Sequence, residues 1–101
     1  MAEHVKVAAV ADLPPGTQKI VAVQGQEIAL FNVDGHIYAL DNTCPHAGFP
    51  LGEGDISGEY VICPGHSFHY NLKTGACLND PEIRTTCFTV SVEGDDIVIA
   101  L

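Results

Sequence analysis

The run Glu27-Ile28-Ala29-Leu30-Phe31-Asn32-Val33-Asp34-Gly35-His36-Ile37-Tyr38-Ala39-Leu40 decides the fold class. Two stretches rich in β-branched, aromatic and aliphatic residues flank Asp34-Gly35. Asp-Gly in that setting signals a tight hairpin, because the primed two-residue turns need positive φ. Working outward, Gln24-Gly25 is expected to turn Lys19-Ile20-Val21-Ala22-Val23 back onto the first of these strands. Val5-Lys6-Val7-Ala8 reads as an earlier strand. It is followed by a turn, or one helical turn, at Ala11-Asp12-Leu13-Pro14-Pro15-Gly16. At the other end, Phe88-Thr89-Val90-Ser91-Val92 and Ile97-Val98-Ile99-Ala100-Leu101 flank Glu93-Gly94-Asp95-Asp96 as a second hairpin. Short strands at close spacing, without helical periodicity, indicate an all-β antiparallel sandwich or barrel.

The 101 residues suffice for a single domain, taken as 1–101, with no room for a second catalytic one. Between the two β-rich ends, about 42–80, the composition changes to Gly, Pro, Cys and His. This stretch is expected to be a loop-built subdomain mounted on the β framework. Formal net charge is −9, which makes nucleic acid and anionic membranes poor partners. It leaves two roles for the acids, a solubilising surface or steering toward a basic partner. No window is long and apolar enough to span a membrane. Met1–Val10 lacks the pattern of an export signal, so a cytoplasmic protein is expected. Four cysteines in such a setting point away from disulfides.

Two motifs carry the chemistry. Cys44-Pro45-His46 and Cys63-Pro64-Gly65-His66 each offer one thiolate and one imidazole. Such a set can hold a transition metal. A structural zinc would accept two cysteines and two histidines in a tetrahedron. Zinc fingers, however, group cysteine with cysteine and histidine with histidine. One Cys and one His per loop suits a dinuclear iron centre, with both thiolates on one iron and both imidazoles on the other.

The sequence resembles the Rieske ferredoxin family. Cys44-Pro45-His46-Ala47-Gly48-Phe49-Pro50-Leu51-Gly52-Glu53-Gly54 is similar to its first cluster loop. Cys63-Pro64-Gly65-His66-Ser67-Phe68-His69-Tyr70-Asn71-Leu72-Lys73-Thr74-Gly75 is similar to the second. The resemblance implies the Rieske fold and one [2Fe-2S] cluster on Cys44, His46, Cys63 and His66. It implies a one-electron carrier rather than an enzyme. The expected partners are an NAD(P)H-dependent flavoprotein reductase and the terminal component of an aromatic ring-hydroxylating dioxygenase, docking transiently near the cluster tip. Two other readings stay open: a small subunit of an assimilatory nitrite reductase, and a zinc-stabilised interaction module. The chain is not expected to be the oxygenase itself, since His4, His36 and His69 make no plausible second iron site.

Departures from the family's high-potential members carry information. Those proteins hold a disulfide between the loops at positions that here are Phe49 and Gly65. They place a serine where this chain has Phe68, and a tyrosine where it has Tyr70. With the serine donor absent, a low potential is expected, although the Ser67 hydroxyl is a candidate substitute. Pro45, Phe49, Pro64 and Gly65 are expected near the tip, either shaping the loops or forming an apolar docking patch. His69 is expected to be a surface or strand residue, His4 and His36 to face solvent, and Cys77 and Cys87 to be small buried hydrophobes. A monomer is expected.

Overall fold

The computed structural model describes residues 4–43, 49–65, 68–80 and 82–100. The described strands are β1 (His4–Ala9), β2 (Gln18–Val23), β3 (Gln26–Val33), β4 (His36–Asp41), β5 (Asp55–Ser57), β6 (Tyr60–Ile62), β7 (His69–Asn71), β8 (Cys87–Glu93) and β9 (Asp96–Ala100). Six of them form an antiparallel sheet in the order β1-β9-β8-β4-β3-β2. The sheet curls into a nearly closed barrel, with β1 approaching β2. The remaining three pair as β5-β6-β7.

The hairpins follow from their turns. Val33 pairs with His36, and both Asp34 and Gly35 have positive φ, which is the geometry that favours Asp-Gly. Val23 pairs with Gln26 across Gln24-Gly25, and Glu93 pairs with Asp96 across Gly94-Asp95. The turn after β1 contains a single 3-10 turn at Val10–Asp12.

Strand β3 shows why its apolar run is unbroken. Alternate residues of a strand face opposite sides. Ile28 and Leu30 join Leu13, Val21, Ile97 and Ile99 in the barrel core. Ala29 and Phe31 point the other way, into a second core with Leu51, Val61, Tyr70 and Leu72. Strand β3 therefore belongs to both cores, and Ile28 through Phe31 are fully buried. Buried Asn32 closes the adjoining turn: its side-chain amide donates to the Leu13 carbonyl at 2.7 Å, and its Oδ1 accepts from Gly35 N–H at 2.9 Å.

The stretch about 42–80 is not wholly loop-built. It carries the β5-β6-β7 sheet and a 3-10 turn at Leu51–Glu53. Each of its strands has only three residues, too few for an alternation to stand out in the sequence. Strand β7 pairs with β6 from beyond the second Cys-His motif, a link that local sequence does not reveal.

Candidate metal centre

The two motifs emerge from clamped bases. For the first, Asn42 is the anchor, 2% exposed. Its N–H donates to the Glu27 carbonyl at 3.0 Å and its carbonyl accepts from Leu51 N–H at 2.7 Å. Its side-chain Oδ1 accepts from Gly52 N–H at 2.8 Å. Thr43 and Pro50 form a β-bridge, so the chain on either side of 44–48 is held together. Gln18 on β2 adds a brace: its side-chain amide donates to the Gly52 carbonyl at 2.8 Å and to the Gly54 carbonyl. For the second motif, Cys63 N–H donates to the Phe68 carbonyl at 2.8 Å, directly beyond the Ile62–His69 pair of β6 and β7.

The bases also touch one another. A Cβ on Gly54 would overlap the Ile62 carbonyl oxygen, so the first base lies hard against the strand that leads into Cys63. Next to the bases, the Phe49 ring lies on Gly65, with Cγ 2.8 Å from where a Gly65 Cβ would stand. Both residues are exposed, as is Pro64. The fold thus brings the expected tip residues Phe49, Pro64 and Gly65 to one place. Pro45 lies outside the described residues.

Of the four expected ligands, Cys63 is described. Cys44, His46 and His66 lie outside the described residues, as does Ser67. Cys63 is 1% exposed and belongs to the second core, together with Tyr70 and Leu72. Phe68 is half-buried against that core. Thiolates are the usual protein ligands of iron–sulfur clusters. A cysteine sunk in an apolar wall, on a segment packed against the one that carries the other Cys-His motif, fits such a group.

A third segment flanks the site. His69 N–H donates to Asn79 Oδ1 at 2.8 Å, and Leu78 N–H donates to the His69 carbonyl at 2.7 Å. The Asn71 side chain caps the next turn through Lys73 and Thr74 N–H. His69 is half-buried on β7, its ring edge-on to Tyr60 at 6.2 Å. His4 and His36 are exposed, as expected.

Cys77 is buried, as expected, whereas Cys87 is only half-buried. Cys87 starts β8 at the seam between the barrel and this segment, and its thiol donates to the Lys73 carbonyl at 3.3 Å. Burial pushes the Cys87 thiol pKa up, and the Arg84 charge opposes the shift. The hydrogen bond and negative charge of Glu59 raise the Lys73 pKa, with a smaller contribution from Tyr38. Asn42, Gln18 and Gly54 were not singled out from sequence. Their roles depend on partners distant in the chain, such as Gln18 and Gly52, which are 34 positions apart.

Comparison with known proteins agrees with this geometry. The Rieske [2Fe-2S] domain family matches residues 3–99. The ferredoxin component of the naphthalene 1,2-dioxygenase system of Pseudomonas aeruginosa is 34% identical over 100 residues, covering 96% of this chain and 94% of that protein. A chain in the complex of reduced oxygenase and oxidised ferredoxin in carbazole 1,9a-dioxygenase superposes with a TM-score of 0.87 at 31% identity. That match covers 96% of this chain and 92% of the other. The nitrite reductase [NAD(P)H] small subunit of Erwinia carotovora shares the fold, with a TM-score of 0.81 at 27% identity over the whole of this chain and 83% of its own. The chain belongs to the Rieske [2Fe-2S] family, as an electron-carrying ferredoxin with a single cluster.

Proposed function

We propose that Cys44 and Cys63 hold one iron of the cluster and His46 and His66 the other. In this reading the protein takes single electrons from an NAD(P)H-dependent flavoprotein reductase. It delivers them to the terminal oxygenase of an aromatic ring-hydroxylating dioxygenase. It works as a cytoplasmic monomer, with residues about 42–80 as the cluster-binding part of one domain. The observation that carries this reading is likeness along nearly the whole chain to ferredoxin components of dioxygenase systems.

When bound, the cluster supplies one-electron chemistry without bond making. The chain's own residues set its surroundings. Cys63 sits in an apolar wall that keeps water from its sulfur. Phe68 fills the place beside it without offering a hydroxyl donor. Phe49, Pro64 and Gly65 give the tip a small apolar face, suited to a partner that must be released after each transfer. Among the described residues the exposed large apolar side chains are Phe49, Leu78 and Val92. That is little surface for a permanent dimer, which supports the monomer. No described helix is long and apolar enough to cross a membrane.

Likeness to a nitrite reductase small subunit keeps a second reading alive. The complete set of two cysteines and two histidines favours the independent carrier. Stopped-flow mixing of the reduced protein with an oxidised aromatic-ring-hydroxylating oxygenase tests the assignment. The expected result is rapid, salt-sensitive reoxidation of the carrier. Reoxidation no faster than by buffer alone, across a panel of such oxygenases, would refute it.

A further inference from the structure

The contact between Phe49 and Gly65 has a further role. We propose that the Phe49 ring, seated on the bare backbone of Gly65, is a clasp that joins the two ligand-bearing segments just beyond their bases. Phe49 is then a positioning residue for the cluster. The inference rests on the ligand assignment above.

Three observations carry it. First, each segment is closed at its own base, by Asn42 and the Thr43–Pro50 bridge on one side and by the Cys63–Phe68 hydrogen bond on the other. The bases meet where Gly54 packs on the Ile62 carbonyl. One point of attachment leaves two segments free to splay, whereas a second point just beyond it fixes their separation. Phe49 and Gly65 supply that second point.

Second, the backbone of Gly65 does not lie in the positive-φ region, unlike that of Gly35, Gly58 or Gly75. Conformation therefore does not require glycine at 65. Space does: a Cβ there would overlap Cδ2 and Cε2 of the Phe49 ring and stand 2.8 Å from Cγ. The large side chain on one segment fills the room left by the missing side chain on the other. Third, Phe49 is 43% exposed, so more than half of an aromatic side chain is covered in a region of exposed turns. Neither position carries a thiol, so the clasp holds equally well under reducing and oxidising conditions.

The test follows the visible absorbance of the intact cluster in the presence of a chelator, with no partner protein, so that any docking role of Phe49 is silent. Iron and sulfide are counted first on the wild type. Phe49→Ala removes the ring, and Gly65→Ala displaces it while leaving Phe49 in place. Each variant is expected to bleach about fivefold faster or more, the rate equivalent of losing the half-buried part of a Phe side chain. Far-UV circular dichroism should remain that of the wild type. The double variant F49C/G65C is the rescue. Its Cβ atoms would fall within the separation of up to about 4.5 Å that a disulfide spans. Once oxidised, it is expected to retain the cluster at least as long as the wild type, and to lose that advantage on reduction. Wild-type bleaching rates in both alanine variants, or an oxidised double variant that bleaches as fast as F49A, would overturn the clasp alone. A wild type without iron and sulfide would overturn the clasp and the cluster assignment together.

Discussion

Gly54→Ala is the sharpest steric test of how the two ligand-bearing segments are joined. Gly54 has φ −79°, a backbone angle that alanine adopts freely, so the substitution carries no conformational penalty. The added methyl instead meets backbone: the Ile62 carbonyl oxygen lies inside the 3.0 Å that real Cβ atoms essentially never breach, and the Ile62 carbonyl carbon is at 3.1 Å. A carbonyl within the β5-β6-β7 sheet cannot rotate away as a side chain would. The first base must therefore lift off β6. Overpacking of this kind costs about 1–3 kcal/mol. Lifting the base also breaks the hydrogen bond from the Gln18 side chain to the Gly54 carbonyl, worth about 1 kcal/mol. A loss of about 2–4 kcal/mol lowers the Tm of a domain this size by about 10–30 °C. Gly58→Ala serves as the control. Nothing lies within 4 Å of its added Cβ, and only its φ of +60° opposes alanine, at a cost of about 1 kcal/mol. Thermal unfolding of both variants at one scan rate, with cluster content measured in parallel, decides the matter. Gly54→Ala melting within about 3 °C of the wild type, with full cluster content, would refute the packing argument.

Three further outcomes are expected. Asn42→Ala removes the acceptor of the Gly52 N–H bond in a buried setting and should cost about 1–3 kcal/mol, read as a lower denaturation midpoint and faster cluster loss. The Cys87 pKa is raised in the folded state, so the stability it contributes is present below the unfolded thiol value and fades as pH rises from about 8.5 upward. Urea melts of wild type and Cys87→Ala between neutral and alkaline pH should therefore converge, and a gap that widens with pH would contradict the sign. The reduction potential should fall toward the lower end of the family's range of about −150 to +300 mV, because Phe68 stands where a hydroxyl donor would raise it. Spectroelectrochemical titration checks this, and a value above about +150 mV would contradict it.

Much of the barrel was legible because its signals are local. Asp34-Gly35 announces its hairpin through the positive φ that both residues adopt, and the apolar run from Ile28 to Phe31 announces a strand, whose burial on both faces the structure adds. The family was legible for the same reason, since the donor types and spacing of the paired Cys-His motifs are local features. The β5-β6-β7 sheet was not legible. Three-residue strands are too short to show a period, and β7 finds β6 only after the chain has passed the second motif. Asn42, Gln18 and Gly54 were hidden for a related reason. An amide that braces a turn, or a glycine that clears a carbonyl, differs from its neighbours only once the distant partner is in place. Cys87 read as a buried hydrophobe, yet it sits half-exposed at the seam where β8 begins.

The central claim is the cluster and its ligation. Electron paramagnetic resonance of the dithionite-reduced protein, with iron, sulfide and zinc measured on the same sample, tests it most directly. The expected result is a rhombic signal from one unpaired electron per chain, shaped by histidine ligation of one iron, with two irons and two sulfides per chain as the [2Fe-2S] centre requires. A colourless, signal-free protein containing zinc and no sulfide would contradict the account.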